Sequence, residues 1–337
     1  MREFAGTGAA VGATPATLEK TRILGAYFRT LDEDDLRRAA VYMSGRAFSP
    51  SQRRTLGLGW STLSKVISSI SGRDEEELGT LFRKHSDLGD WAGEALDART
   101  APQPVSMQDV EETLEAIRTA RGNAKAKPLE ALLQRLDPEE ARFFVKIIAG
   151  EMRIGLSEGL VEAAIAEAFG VAITQVKRVH LITGDIGETA VRLKRGEIEV
   201  SSITPFQPVR FMLASPVETP DEAFTRMGAG TVWTEEKYDG VRCQLHRQGS
   251  RIELFSRDLK ETTAAFPELI EAAPGIGHDV LFDGEVLAHR DGRVLRFFEL
   301  QRRLGRKQVD SDLRRDVPVV LVIFDLLWLD GRTLLDE

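Results

Sequence analysis

The chain has 337 residues, 42% of them hydrophobic, a formal net charge of −8 and a single cysteine, Cys243. That length points to two domains and that apolar content suffices for packed cores, which excludes wholesale disorder. One cysteine excludes an internal disulfide framework and a cysteine-rich zinc site and fits a reducing cytoplasm, and no apolar run is long enough to predict a membrane span. The acidic balance argues against a surface coated in nucleic acid, but a nucleic-acid binder needs only a local basic stripe. Such clusters occur at Arg53-Arg54, Lys125 with Lys127, Lys177-Arg178, Arg192 with Lys194-Arg195, and Arg302-Arg303 with Arg306-Lys307. Any single one of them reads more readily as a solvated face.

Residues 1–17 are small and polar, with no basic start followed by an apolar run, so a flexible N-terminus without a signal peptide is expected. Residues 18–203 read as helices and predict an all-α domain. Apolar residues recur at helical spacing over 18–28 and 110–119. Asp137-Pro138-Glu139-Glu140 is a helix start, with a capping Asp, Pro at the first helical position and acids in the first turn. Phe143, Phe144, Ile147 and Ile148 follow as its apolar face. A further helix is predicted from Ser157 to Gly170, with Leu160, Ala164, Ile165 and Ala168 facing inward. No repeat of fixed period is found.

At Thr204-Pro205-Phe206-Gln207-Pro208 two prolines in five residues resist both helix and central strand, so 204–210 is expected to be a linker. Beyond it alternation replaces helical spacing. Val241, Cys243 and Leu245 alternate with polar residues, turn at Gln248-Gly249-Ser250 and return through Ile252 and Leu254. Cys243 is expected in the core and His246 in solvent. A second hairpin runs over 280–289, turns at Asp291-Gly292 and returns through Val294. The apolar run 317–329 predicts a buried strand. Residues 211–337 are therefore expected to form an α+β domain built on antiparallel sheet, and the chain to be multidomain.

The stretch richest in chemistry is Glu235-Glu236-Lys237-Tyr238-Asp239-Gly240-Val241-Arg242. Val232 and Trp233 precede it, so it is expected to end a strand, on which Glu235, Lys237 and Asp239 would share a face. Gly240 permits a turn or a close backbone approach, and Arg242 offers a planar fork for phosphate or ribose oxygens. The bland reading is a surface ion pair beside a turn. Yet at roughly one in twenty per position, four fixed positions in Lys-x-Asp-Gly-x-Arg arise by chance in a chain of this length only about once in 500.

This pattern resembles the signature of the covalent nucleotidyltransferases: DNA ligases, RNA ligases and mRNA capping enzymes. Ser256-Arg257, Phe282-Asp283-Gly284-Glu285-Val286, Leu300-Gln301-Arg302-Arg303-Leu304-Gly305-Arg306-Lys307 and Phe324-Asp325-Leu326-Leu327 with Asp330-Gly331 follow in that family's order. Upstream, Gly150-Glu151-Met152-Arg153-Ile154-Gly155-Leu156-Ser157, Gly184-Asp185-Ile186-Gly187 and Pro208-Val209-Arg210-Phe211-Met212-Leu213-Ala214 resemble the N-terminal DNA-binding domain of ATP-dependent DNA ligases of the bacterial and archaeal type. Capping enzymes and most RNA ligases lack such a domain. An RNA ligase or capping-type enzyme, and a catalytically incomplete DNA-binding fragment, stand as the rival readings.

The resemblance implies a ligase that uses ATP and Mg²⁺, acts as a monomer on nicked duplex DNA in the cytoplasm, and serves replication, repair or recombination. Lys237 would attack the α-phosphate of ATP and carry AMP. Glu235 would accept a hydrogen bond from the adenine amino group, Arg242 would hold the ribose and phosphate side, and Arg257 would bind nucleotide and nick phosphate. Glu285 would contact ribose or help hold metal. Phe324 would stack on adenine, or else is an ordinary core phenylalanine. Asp239 would contact metal or the nick, or else caps the turn. A lysine of ordinary pKa, near 10.4, is protonated and cannot attack, so desolvation, Arg242 and a bound cation would have to favour the neutral amine. The family's later motifs, a glutamate, paired lysines and an oligonucleotide-binding domain, do not occur before Glu337. A truncated adenylation domain, with an open strand edge after Leu329, is therefore expected.

Overall fold

The helix Pro138–Ala149 begins with the interaction its sequence encodes. The Asp137 carboxylate accepts the Glu140 amide hydrogen at 2.8 Å, and the Glu140 carboxylate accepts that of Asp137 at 3.0 Å. Gly150, at φ 76°, ends the helix, and Phe143, Phe144 and Ile147 are buried along one side. Helix Glu158–Phe169 starts after Ser157, whose side chain makes no capping hydrogen bond, buries Val161, Ala164, Ile165 and Ala168, and closes on Gly170 at φ 65°. In this computed structural model the chain divides into two compact units, Met1–Val200 and Ser201–Glu337. The structure describes all residues except 53, 98–101, 200, 201, 212, 213, 229, 230, 307, 336 and 337. Arg53, Met212, Leu213, Lys307 and Glu337, named above, lie outside the described residues.

Unit 1 is all-α among the described residues, with twelve α-helices from Arg2–Ala13 to Ile186–Lys194. The first of them corrects an expectation. Residues 1–17 are not a flexible lead-in. Phe4, Ala5, Gly8 and Val11 line one face of helix Arg2–Ala13 and are buried. The Phe4 ring packs edge-on against Tyr42 and Phe143, with centroids 6.2 and 6.4 Å apart. Small residues hid this face, because close helix packing here uses missing side chains rather than large ones.

Gly8 shows the point: a Cβ there would collide with the buried Phe143 ring. Gly8→Ala gains up to about 1 kcal/mol of helix propensity but overpacks the contact by ~1–3 kcal/mol. We expect a net loss of stability, read as a lower urea midpoint. An unchanged or raised midpoint would show that Phe143 moves aside freely.

Unit 2 is built on one antiparallel sheet. Its strands are β1 (Val241–Gln248), β2 (Arg251–Ser256), β3 (Val280–Arg290), β4 (Arg293–Val294), β5 (Val319–Leu329) and β6 (Arg332–Thr333). Their order is β2-β1-β3-β5-β6, with β4 paired to β3. The β1–β2 hairpin turns at Gly249-Ser250, with Gln248 opposite Arg251. The β3–β4 turn places Asp291 at φ 53° and Gly292 at φ 75°, the two positive angles that a tight two-residue hairpin requires. Cys243, Leu245, Leu254, Phe266, Val280 and Val286 form the core. Burial pushes the Cys243 thiol up to about 12, so it behaves as an inert apolar group.

Two further expectations change. His246 is fully buried, as is Gln244, although both occupy the polar phase of β1. The segment expected as a linker explains this, because it lies across that face of β1. The Phe206 amide donates to His246 Nδ1 at 3.0 Å, and the His246 ring meets Phe255 edge-on at 4.7 Å. The Gln244 amide grips Val209, accepting its N–H at 3.0 Å and donating to its carbonyl at 2.7 Å. Strand β5 is not buried throughout either. Ile323 and Phe324 are exposed, while Leu327 and Trp328 are buried. The register explains the irregular pattern. Gly284 pairs with Ile323 and Asp283 with Asp325, so Phe324 is the extra residue of a bulge; a second shift falls between Leu281 and Phe282.

Candidate nucleotide site

Glycine places the signature segment. A Cβ at Gly240 would collide with the carbonyl oxygen of Val286, so only glycine lets the chain enter β1 this close to β3. The Gly240 amide donates to Glu285 Oε1 at 3.1 Å. Residues 231–239 are irregular and lead into β1; they do not end a strand as expected. Trp233, which suggested a strand, is 93% exposed and has no core to pack on. Glu235, Lys237 and Asp239 are all exposed.

Strand register supplies the rest of the site. Arg242 lies opposite Glu285 across β1 and β3, and Asp283 sits two residues before Glu285. The Arg242 guanidinium grips Asp283 with two hydrogen bonds, Nε to Oδ1 at 3.2 Å and Nη2 to Oδ2 at 2.7 Å. Its Cζ lies 4.5 Å from the centre of the Phe211 ring and 5.5 Å from that of Phe324, both within cation–π range. Burial pushes the Asp283 and Glu285 carboxyls above the usual carboxylate range. Arg242 opposes this at both, Gly240 N–H and the Lys237 charge oppose it at Glu285, and burial wins.

The structure therefore joins Arg242, Glu285, Phe324 and the Lys237 segment through Gly240. It shows no hydrogen bond or ion pair for Glu235 or Arg257 among the described residues; Arg257 is exposed on the turn after β2. Phe324 is 41% exposed, which removes the core-phenylalanine alternative. Sequence reasoning gave no role to Asp283 or Phe211. Asp283 was within reach, since it shares a face with Glu285 by strand alternation. Phe211 was not, because its place depends on the segment that crosses β1.

For Mg²⁺, no group of three or more His, Cys, Asp or Glu able to hold a metal occurs among the described residues. Glu285 and Asp239 still offer hard oxygen donors, on either side of the Gly240–Glu285 hydrogen bond. Mg²⁺ is commonly held by one or two carboxylates together with substrate phosphates, so the donor set fits an ion that arrives with a nucleotide.

In unit 1 the ligase-like segments have clear structural work. Arg153, at φ 50°, reaches the Ser86 carbonyl at 2.7 Å and Glu151 at 2.6 Å. Asp185 caps helix Ile186–Lys194 by accepting from Gly187 and Glu188. A Cβ at Gly187 would come 2.8 Å from the Arg37 carbonyl. Most of the basic clusters are engaged within the chain. Arg54 pairs with Glu115, Arg192 with Glu188, Arg195 with Glu33 and Arg302 with Glu299. Lys125 donates to the Leu56 and Gly57 carbonyls, and Arg303 is fully buried against Glu268. Lys127, Lys177 and Arg178 are exposed, and Arg178 is also engaged within the chain. No described helix is long and apolar enough to cross a membrane.

Comparison with known proteins agrees with this geometry. A family model described as the DNA ligase N terminus matches residues 1–166, and one described as the ATP dependent DNA ligase domain matches 211–337. A probable DNA ligase of Koribacter versatilis is 39% identical over 340 residues, covering 100% of this chain and 58% of that protein. A DNA ligase of Methanothermobacter thermautotrophicus is 34% identical, covering 96% and 60% respectively. DNA ligase 1 of Korarchaeum cryptofilum is 33% identical, covering 99% and 62%. The chain thus spans 58–62% of the length of these relatives. A solved structure named Pmar-Lig_PreS3 shares the fold at a TM-score of 0.51 and 15% identity, over 96% of this chain and 56% of its own. With two successive ligase domain models matched in order across most of its length, and relatives of that name along all of it, the chain belongs to the ATP-dependent DNA ligase family.

Proposed function

We propose that the protein seals nicks in duplex DNA through a lysyl-AMP intermediate formed on Lys237. The observation that carries this reading is the Gly240–Glu285 hydrogen bond, which ties the Lys237 segment to the strand bearing Asp283 and Glu285, beside Arg242 and Phe324. In the first step Lys237 Nζ, having lost its proton, bonds to the α-phosphorus of ATP. The bond to the β-phosphate oxygen breaks and pyrophosphate leaves. AMP then passes to a 5′-phosphate, and the neighbouring 3′-hydroxyl displaces it. Glu235 accepts from the adenine amino group, Phe324 stacks on the base, Arg242 and Arg257 hold ribose and phosphate, and Glu285 contacts ribose. Asp239 and Glu285 would hold Mg²⁺, which when bound neutralises charge on the phosphate oxygens. In this reading the protein works as a monomer in the cytoplasm, and unit 1 grips sugar and phosphate without reading bases.

The test uses α-labelled ATP and a nicked duplex. Label should enter the protein and be discharged on nicked DNA with sealing. GTP should label about ten- to a hundredfold less well, because its carbonyl oxygen would face the Glu235 carboxylate. DNA affinity should fall steeply with salt through counterion release. Sealing of RNA alone, equal labelling by GTP, or salt-independent DNA binding would each count against a stated part of the proposal.

A further inference from the structure

We propose that Phe211 is a positioning residue for Arg242 and, through it, for the ribose and phosphate side of the bound nucleotide. This rests on the nucleotidyl-transfer reading above. Arg242, Gln244 and His246 alternate along β1 and so share one face of the strand. The segment 206–211 meets that face rung by rung and runs opposite to β1. The Phe206 amide bonds His246, the Val209 backbone bonds Gln244 through both its N–H and its carbonyl, and the Phe211 ring lies on Arg242. His246, Gln244 and Val209 are buried. A carboxamide that engages the N–H and carbonyl of one residue imitates a strand partner, so Gln244 fixes the height and direction of the chain at Val209. Phe211 follows two residues later and is carried onto the guanidinium.

Its effect follows from how a guanidinium is held. The two hydrogen bonds to Asp283 fix the position of the fork at one edge. Those bonds act in the plane of the fork, whereas a ring over its face acts across that plane. The Phe211 ring, 4.5 Å from Cζ, is the nearer of the two rings on it, with Phe324 at 5.5 Å. Phe211 thereby presets the plane in which Arg242 presents its remaining surface to a ligand, without itself touching the reacting atoms.

The experiment measures AMP transfer to Lys237 in the full chain against ATP concentration, giving a half-saturating concentration and a maximal rate. Phe211→Leu keeps apolar bulk and removes the π face. It should raise the half-saturating ATP concentration about 2- to 30-fold, the range of a cation–π contact, with the maximal rate changed much less. Phe211→Tyr should restore the wild-type value. In an Arg242→Lys background, Phe211→Leu should add little, because the planar group it supports is gone. If Phe211→Leu does not fold, Phe211→Met serves the same comparison. A labelled wild type with Phe211→Leu indistinguishable from it, no rescue by Phe211→Tyr, or full additivity with Arg242→Lys would overturn the proposal. A wild-type chain that takes no label from ATP would overturn the underlying reading, and this proposal with it.

Discussion

Replacing Lys237 by alanine should abolish AMP labelling of the full chain, a loss of about 10³-fold or more, as when a covalent nucleophile is removed. Lys237→Arg should be equally silent. Arginine keeps the positive charge near Glu285 but stays protonated at any working pH and so offers no lone pair. The pair of variants separates two roles. If Lys237 only attracted ATP phosphates by charge, arginine would retain much of the labelling. The label on the wild type should be acid-labile, as a phosphoramidate is, and should map to a peptide containing Lys237. Stability should change little, because Lys237 is exposed and lies outside the strands. Labelling of Lys237→Ala at the wild-type rate would sink the mechanism. The pH profile adds a second reading. Burial holds the Glu285 carboxyl above its usual range, with the Gly240 amide, Arg242 and Lys237 pulling it back. The carboxylate form is therefore lost at a higher pH than for a free glutamate. If it is needed, labelling should decline as pH falls through that raised value, and Glu285→Gln should remove this acidic limb.

The parts of this molecule legible in the sequence are those set by local chemistry. The Asp137 cap, the Gly150 and Gly170 stops and the Asp291-Gly292 turn are each fixed by a few adjacent residues, and each is seen in the structure. The Lys237–Arg242 spacing was legible for the same reason. Long-range packing was not. Helix Arg2–Ala13 buries mainly small residues, so no strong apolar stripe announced it. His246 and Gln244 look like solvent-facing residues of a half-buried strand; only the segment that crosses β1 makes that face an interior. The prolines of that segment signalled an irregular path and said nothing about where it would lie. On β5 the bulge at Phe324 breaks period-two alternation, so an apolar run concealed two exposed residues. The same crossing segment explains why Phe211 went unnoticed beside Arg242.

The second large effect is expected at Lys146, far in sequence from the signature segment. Its side chain is only 2% exposed and bridges two carboxylates, Asp87 at 2.7 Å and Asp90 at 3.1 Å. Asp87 also caps helix Leu88–Ala95 by accepting from the Asp90 amide, and Arg142 reaches Asp90 at 2.7 Å. Gly89 lies so close to the Lys146 stem that no Cβ fits there, so the ion pair closes a tight helix crossing. Lys146→Ala leaves the buried Asp87 without this partner and should cost about 3–5 kcal/mol. Lys146→Met with Asp87→Asn removes both charges and keeps the cap, and should recover most of that loss. The measurement is the free energy of opening for helix Pro138–Ala149, from amide hydrogen exchange. Acid should narrow the gap. Burial alone would raise the Asp90 carboxyl, but hydrogen bonds from Lys146 and Arg142 outweigh it and hold the group below its ordinary value. Its contribution to wild-type stability is thus present above the ordinary carboxylate pKa and lost as pH falls through the depressed one. Lys146→Ala has less of it to lose, so the two proteins should converge at low pH. A cost under about 1 kcal/mol at neutral pH, the size of an exposed pair, would show that Asp87 is hydrated or re-paired after the substitution. Arg153 approaches Asp87 at 3.9 Å and bonds the Ser86 carbonyl. The same substitution should therefore speed exchange in the Gly150–Ser157 segment, which links this network to one of the ligase-like segments of unit 1.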